Sequence, residues 1–171
     1  MKTLYQGSII RLETGKVTMP DGHSLSVEVV HHPGGSAIVA INDLQEVCIL
    51  RQYRFILNDW IWELPAGKCD NNEAPIKTAK RELQEEAGLI ANHWHTLGES
   101  ISSPGVFTER VWFYLATGLE QIATAQEQGE CMEVHWQPLD KLVMRCMEGG
   151  IEDGKTIIGL MRAAAFLKQN P

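Results

Sequence analysis

Between Trp62 and Leu89 the chain reads WELPAGKCDNNEAPIKTAKRELQEEAGL, and three of its acids, Glu82, Glu85 and Glu86, fall within five positions. On a helix turning about 100° per residue, these carboxylates point within roughly 50° of one another, while Ile76, Ala79, Leu83 and Ala87 cluster about 110° round the barrel. Like charges three and four apart repel, and near a helix C-terminus the dipole disfavours anions as well. Local stability therefore gives no reason for the crowding. A hard divalent cation does, because Mg²⁺ or Mn²⁺ takes several oxygen ligands and one rigid helix face can supply them. Such a cation would bridge the oxygens of a diphosphate, lower the pKa of a bound water and stabilise charge as a P–O bond breaks.

An acidic helix face is more often simply solvated, so the wider pattern has to decide. It runs Gly67, five residues, Glu73, seven residues, Arg81, Glu82, Leu83, one residue, Glu85, Glu86, one residue, Gly88, Leu89. Average residue frequencies put that coincidence on the order of 10⁻⁸ for a chain of this length. The stretch resembles the Nudix box, complete and without departure. The resemblance implies an α/β fold, an α/β/α sandwich with a mixed sheet, and metal-dependent hydrolysis of a nucleoside diphosphate linked to another group. It implies Glu82 and Glu86 as the main ligands of Mg²⁺ or Mn²⁺, Glu85 as a further ligand in the catalytic set, and the backbone carbonyl of Ala66 as a loop ligand. Glu73 and Arg81 would hold the glutamates in register through forked hydrogen bonds. Gly67 would permit a tight loop near phosphate, and Gly88 a left-handed helix cap.

The flanks narrow the substrate. RQYR (Arg51 to Arg54), WELPAGK, the SPG at Ser103 to Gly105 and IEDGKT (Ile151 to Thr156) resemble the ADP-ribose pyrophosphatase branch, as does a proline, Pro104, 15 positions beyond Leu89. That branch hydrolyses ADP-ribose to AMP and ribose 5-phosphate, as homodimers that exchange N-terminal sheets. Arg54, with Arg51 beside it at a strand end, is a candidate for substrate binding, since a planar guanidinium suits phosphate or an adenine face. Glu109 is a candidate for metal or ribose. In the family a catalytic glutamate comes from a loop before a late strand. AQEQGECMEVHW (Ala125 to Trp136) offers Glu130 as first choice and Glu127 in reserve, with Glu133 belonging to the strand. The alternatives are a GDP-mannose-type pyrophosphatase and a nucleotide sensor without turnover; the intact glutamate set argues against the sensor.

The elements that must position these residues follow from periodicity. Ser8 to Glu13 and Leu25 to Val30, around the PDG turn at Pro20 to Gly22, alternate as half-buried antiparallel strands. They make a small N-terminal subdomain, residues 1–35, ahead of a hydrolase domain, 36–171. Buried strands are expected at Ala37 to Ile41 and Glu46 to Arg54, and further strands at Trp60 to Leu64, His93 to Glu99, Val111 to Ala116 and Glu133 to Trp136. Helices are expected over Ala74 to Ala87, Pro138 to Glu148 and Gly154 to Gln169, the last two with apolar stripes at i, i+3, i+4, i+7.

Composition sets the outer bounds. At 171 residues and 44% hydrophobic, the chain can bury one substantial core, and no window resembles a membrane span. A net charge of −7 argues against nonspecific binding to nucleic acid or an acidic membrane. Cys48, Cys69, Cys131 and Cys146 lack metal-type spacing and read as reduced thiols, in keeping with a cytoplasmic location. His93 and His95 share a strand face without a third ligand, and the tryptophans are expected mainly to fill cores.

Overall fold

The structure is a computed structural model that describes residues 1–70, 73–124 and 131–170, among which there are ten strands and three helices. β1 (Lys2–Gln6), β2 (Arg11–Thr18) and β3 (Ser24–His31) form an antiparallel sheet in that order. The strand expected from Ser8 to Glu13 is displaced. The Gly7 N–H donates to the Ile10 carbonyl at 2.9 Å, closing a turn at Ser8 and Ile9, so β2 begins only at Arg11. All five residues of β1 are exposed, so it lacks the apolar alternation that would have marked it as a strand.

Two further sheets follow. In one, β7 (Ala66–Lys68), β4 (Gly35–Ala40), β9 (Arg110–Gln121) and β8 (Leu89–Ile101) lie side by side, with β4 and β9 parallel and the other pairs antiparallel. In the other, β10 (Met132–Pro138), β5 (Glu46–Arg54) and β6 (Asp59–Glu63) are antiparallel. β7 was not expected, because Pro65 and Gly67 read as a turn; in the structure Gly67 sits opposite Ser36.

The helices lie on both sides of these sheets, as the packing of β4 makes clear. Ile38 and Ala40 pack with Cys48 and with Ala79, Leu83 and Ala87 of α1 (Pro75–Ala87). Val39 joins Val47, Ile49, Leu142 of α2 (Leu139–Met147), and Leu160 and Ala163 of α3 (Gly154–Gln169). Burial on both faces accounts for the unbroken apolar run AIVAI. A fully buried leucine such as Leu83 or Leu142 contributes roughly 1.5–3 kcal/mol relative to exposure. The architecture is the mixed α/β/α sandwich expected.

The N-terminal sheet meets the rest through the segment after β8: the Val30 N–H donates to the Val106 carbonyl at 2.8 Å, and the Thr108 N–H to the Val30 carbonyl at 3.0 Å. Its Leu4, Tyr5, Ile9 and Leu25 are about half exposed. Among the described residues no helix is long and apolar enough to cross a membrane.

Candidate active site

Helix α1 starts at Pro75, whose fixed φ suits a first helical position. It stops at Gly88, which takes the left-handed conformation (φ +63°) while its N–H returns to carbonyls of the last turn. The buried face differs from expectation in one place: Ile76 is only half-buried, whereas Glu86 joins Ala79, Leu83 and Ala87 at 4% exposure. The reason lies in the preceding loop. Glu86 Oε2 accepts the Ala66 N–H at 2.8 Å, so a buried carboxylate finds a backbone donor where helix and loop meet. Its charge is felt nearby, since burial first and then Glu86 push the Cys48 thiol up to about 12.

Arg81 ties the other acids together. Its Nη1 donates to Glu82 Oε1 at 2.7 Å and to Glu85 Oε2 at 2.9 Å, and its Nη2 to the Lys68 carbonyl at 3.2 Å and Glu73 Oε2 at 3.3 Å. Thr78 Oγ1 holds the same Glu73 oxygen at 2.9 Å. Burial works to lower the Arg81 pKa, but the charge of Glu82 and the bonds to Glu85, Glu82 and Glu73 raise it further above its ordinary value. Gly67 leaves room for the Glu82 carboxylate: a Cβ at this position would lie 1.8 Å from Glu82 Oε1.

These groups form one wall of a cavity of about 840 Å³, a size that takes a nucleotide-scale ligand. Ala66, Gly67, Arg81, Glu82, Glu85 and Glu86 line it from β7 and α1; Arg54 and Glu109 line it from elsewhere in the fold. Glu109 Oε2 accepts from the Ser102 hydroxyl at 2.5 Å, and Oε1 lies 3.4 Å from His32 Nδ1. Burial lowers the His32 pKa despite the opposing charge of Glu109, and its Nδ1 accepts the Gly34 N–H at 3.0 Å, leaving the proton of a neutral ring on Nε2.

Several residues on these walls are marked in the sequence only as parts of RQYR, WELPAGK and IEDGKT, with no role of their own. Gln52 is 6% exposed and lines the cavity two positions before Arg54, on the same strand face. Lys155, at the start of α3, lines it as well. Glu63 lies beneath both cations with its side chain 2% exposed. The Arg54 fork grips it, Nε to Oε1 at 2.5 Å and Nη2 to Oε2 at 2.7 Å, and Lys155 Nζ donates to Oε2. Burial works to raise the Glu63 pKa, yet the bond from Arg54 and the charge of Lys155 hold it below the usual carboxylate value. WELPAG did contain a hint, an acid between Trp62 and Leu64 in an otherwise apolar strand.

Two expected residues do not reach the cavity. Arg51 lies an odd number of positions from Arg54, so strand alternation puts it on the opposite face of β5, where its guanidinium sits 5.8 Å from the Trp60 ring and 5.9 Å from that of Trp62. Pro104 is in an exposed turn after β8. Glu127 and Glu130 lie outside the described residues; Glu133 is in β10, as expected.

As to a metal, no three His, Cys, Asp or Glu side chains among the described residues converge closely enough to hold an ion. The donor chemistry nonetheless suits a hard cation: three carboxylates from one helix face share a cavity with the backbone of Ala66. Glu82, Glu85 and Glu86 are the residues that would hold it, with the Ala66 carbonyl.

The NUDIX domain family matches residues 31–158. The chain is 38% identical over 167 residues to an ADP-ribose pyrophosphatase of Mycobacterium tuberculosis (strain ATCC 25618 / H37Rv), spanning 96% of this chain and 81% of that one. It is 32% identical over 155 residues to an ADP-ribose pyrophosphatase of Bacillus subtilis (strain 168), spanning 90% of this chain and 84% of that one. In fold it is similar to an ADP compounds hydrolase seen by crystallography, with a TM-score of 0.84 and 20% identity over 99% of this chain and 92% of that one.

Proposed function

This chain belongs to the NUDIX domain family, and on that premise we propose that it is a hydrolase cleaving the diphosphate bond of ADP-ribose, or of a related nucleoside diphosphate sugar, to AMP and ribose 5-phosphate. The observation that carries the reading is the cavity, in which an acidic wall from α1 shares one nucleotide-sized space with Arg54 and Glu109. Names of similar proteins support ADP-ribose within that class.

In the reaction water adds to one phosphorus, one P–O bond forms, the bridging P–O bond breaks, and the two products share the proton inventory of the water. A divalent cation, Mg²⁺ or Mn²⁺, would supply charge stabilisation on the diphosphate and acidify water. The chain's own contributions are distinct. Glu82, Glu85 and Glu86 present the oxygens for the cation, and Arg81 holds two of them at fixed separation. Arg54 gives N–H donors to the diphosphate. Glu109 accepts from sugar hydroxyls, already oriented by Ser102. Glu130, or Glu127 in its place, takes the proton from the attacking water.

We further place the chain in a homodimer, joined through the subdomain of residues 1–35, whose exposed Leu4, Tyr5 and Leu25 suit a protein interface, and in the cytoplasm, where its thiols stay reduced. Light scattering at micromolar concentration is expected to give twice the chain mass; a monomer would remove the dimer. For the reaction, a panel of ADP-ribose, ADP-glucose, GDP-mannose, diadenosine polyphosphates and NADH is assayed with Mg²⁺, with Mn²⁺ and with neither. Metal-dependent release of AMP from ADP-ribose is expected. Faster turnover of GDP-mannose would change the substrate, and no turnover of any would favour a sensor.

A further inference from the structure

The cavity wall contributed by β5, β6 and the start of α3 carries a cluster whose cost needs explaining. Glu63 is buried to 1% exposure in a place where Ile38, Leu50 and Leu64 are also buried, and it is charged. Apolar residues of similar volume usually serve stability as well as a buried ion pair does, because removing charges from water is so unfavourable. Structure alone is therefore a weak reason for Arg54, Glu63 and Lys155 to meet.

The fold also fixes Lys155 there through a dedicated chain of bonds. The Leu64 N–H donates to Thr156 Oγ1 at 2.8 Å, the Thr156 hydroxyl donates to Asp153 Oδ2 at 2.6 Å, and the Thr156 N–H donates to the same oxygen at 2.9 Å. Gly159 brings α3 close, for a Cβ there would lie 2.6 Å from Leu64 Cδ1. The residue after Glu63 is thus locked to the residue after Lys155.

Counting donors shows what is left over. Among the described residues Arg54 gives two of its five N–H groups to Glu63, and Lys155 gives one of three to Glu63 and one to Asp153 at 3.0 Å. Both residues line the cavity. Glu63 and Asp153 together neutralise their formal charge, so this wall offers oriented N–H donors without excess charge. That matters because the glutamates of α1 share the cavity, and the charge of Glu86 already acts on Arg54. Without Glu63, Arg54 would have Glu86 as its next charged partner, in competition with a metal.

We propose that Glu63 is a positioning residue for the hydrolysis and that Lys155, with Arg54, is the anion-binding group it positions: the buried carboxylate keeps both cations on the β5–β6 wall, where their remaining N–H groups receive the substrate's diphosphate. The proposal rests on the hydrolase reading above and adds to it a residue 92 positions away from Glu63 in sequence.

The test compares the full-length protein with Lys155→Gln, Lys155→Arg, Glu63→Gln and the Glu63→Gln/Lys155→Gln double variant. Three quantities are read: kcat and KM for ADP-ribose with Mg²⁺, the Kd of ADP-ribose in EDTA by calorimetry, and Tm. Lys155→Gln is expected to raise KM and the metal-free Kd about tenfold, the loss of one charge-assisted hydrogen bond, with kcat changed far less. Lys155→Arg restores most of the affinity. Glu63→Gln raises both constants at least as much, and the double variant binds no more weakly than Glu63→Gln alone, because the carboxylate acts through the cations. Unchanged KM and Kd in Lys155→Gln overturn the proposal, and that variant, at a partly exposed side chain, is the one least exposed to a folding defect. A lower Tm for Glu63→Gln with unaltered binding, or losses that multiply in the double variant, overturn it equally. Absence of turnover in the unmodified protein on every nucleoside diphosphate sugar would instead sink the hydrolase reading, and this inference with it.

Discussion

The two walls of the cavity are built on opposite charge plans. On the α1 wall one guanidinium, Arg81, serves three carboxylates, Glu73, Glu82 and Glu85, while a fourth, Glu86, is held by a backbone N–H. On the β5–β6 wall two carboxylates, Glu63 and Asp153, serve two cations, Arg54 and Lys155. Among the described residues the first wall carries more carboxylates than cations, which suits the divalent cation proposed above. The second is balanced within itself and presents donors. A site that must hold metal and diphosphate together needs both, and it needs them kept apart, since opposite charges left unassigned would simply pair.

The sharpest way to break this contrast is at Glu82, whose Oε1 accepts from Arg81 Nη1 at 2.7 Å. Glu82→Gln keeps the shape and removes one charge from the deficient wall. Turnover of ADP-ribose is expected to fall on the order of 10³-fold, about 4 kcal/mol of transition-state stabilisation, with an unaltered circular dichroism spectrum. Wild-type rates in saturating Mg²⁺ would show that the wall's charge deficit has nothing to do with catalysis. Next in size is Glu130→Gln, expected to lower kcat by about 10²-fold or more while leaving the Kd for ADP-ribose nearly unchanged, the signature of a lost base. If Glu127→Gln does this instead, the base sits three residues earlier.

A smaller effect is expected at Gly67, where the loop is tight against the acidic wall. In Gly67→Ala the new Cβ, 1.8 Å from Glu82 Oε1, forces the carboxylate to move. Displacement of a positioned group by about 1 Å can cost up to about 10²-fold in rate, so a loss of about tenfold or more in kcat is expected, with little change in Tm. Activity equal to the parent would mean that the position of Glu82 is not fixed by this loop.

The difference between the walls also explains which of them the sequence makes legible. Every member of the acidic wall lies between Ala66 and Gly88, so spacing alone brings Glu82, Glu85 and Glu86 to one helix side and marks Gly67 and Gly88 as backbone devices. The donor wall draws on residues 54, 63 and 155, from two strands and a helix. Its parts meet through the β5–β6 pairing and the Leu64–Thr156–Asp153 bonds, neither of which leaves a periodic trace. The fold divides in the same way. Strongly patterned elements such as α3, expected and found at Gly154–Gln169, or β5, at Glu46–Arg54, are read with correct bounds. β1, wholly exposed, and β7, a three-residue strand inside a Pro/Gly turn, are not. Glu86 shows the limit inside a well-read helix: a polar residue on the buried side is invisible until its backbone donor, the Ala66 N–H, is in place.

Acid sharpens the contrast through stability. Glu63 has its native pKa held below the ordinary carboxylate value, 4.5, so it adds stability that is complete above that value and disappears as pH falls through the lower native one. Between about pH 5 and pH 3 the Tm of the parent is therefore expected to drop more steeply than that of Glu63→Gln, whose amide cannot titrate. Parallel slopes would mean that the carboxylate titrates alike in the native and unfolded chains, and the tight pairing drawn for the donor wall would be lost.

The gentlest test lies on the far side of the same strand. Arg51 and Arg54 flank Gln52 and Tyr53, and composition alone makes them equivalent candidates for phosphate. Period-two alternation does not: Arg54 faces Glu63 and the cavity, whereas Arg51 faces Trp60 and Trp62, with the Arg145 guanidinium 4.8 Å from the same Trp62 ring. An exposed arginine over an indole is worth about 0.5–1 kcal/mol. Arg51→Ala is thus expected to change KM for ADP-ribose by less than about threefold, while Arg54→Ala, which removes donors from the cavity and leaves Glu63 with Lys155 alone, raises it about tenfold or more. Equal losses from both would require the Trp60–Trp62 face to touch substrate as well. In a homodimer that contact would come from the neighbouring chain's bound ligand, and mixing Arg51→Ala with Glu82→Gln subunits would then separate binding from cleavage between the two chains.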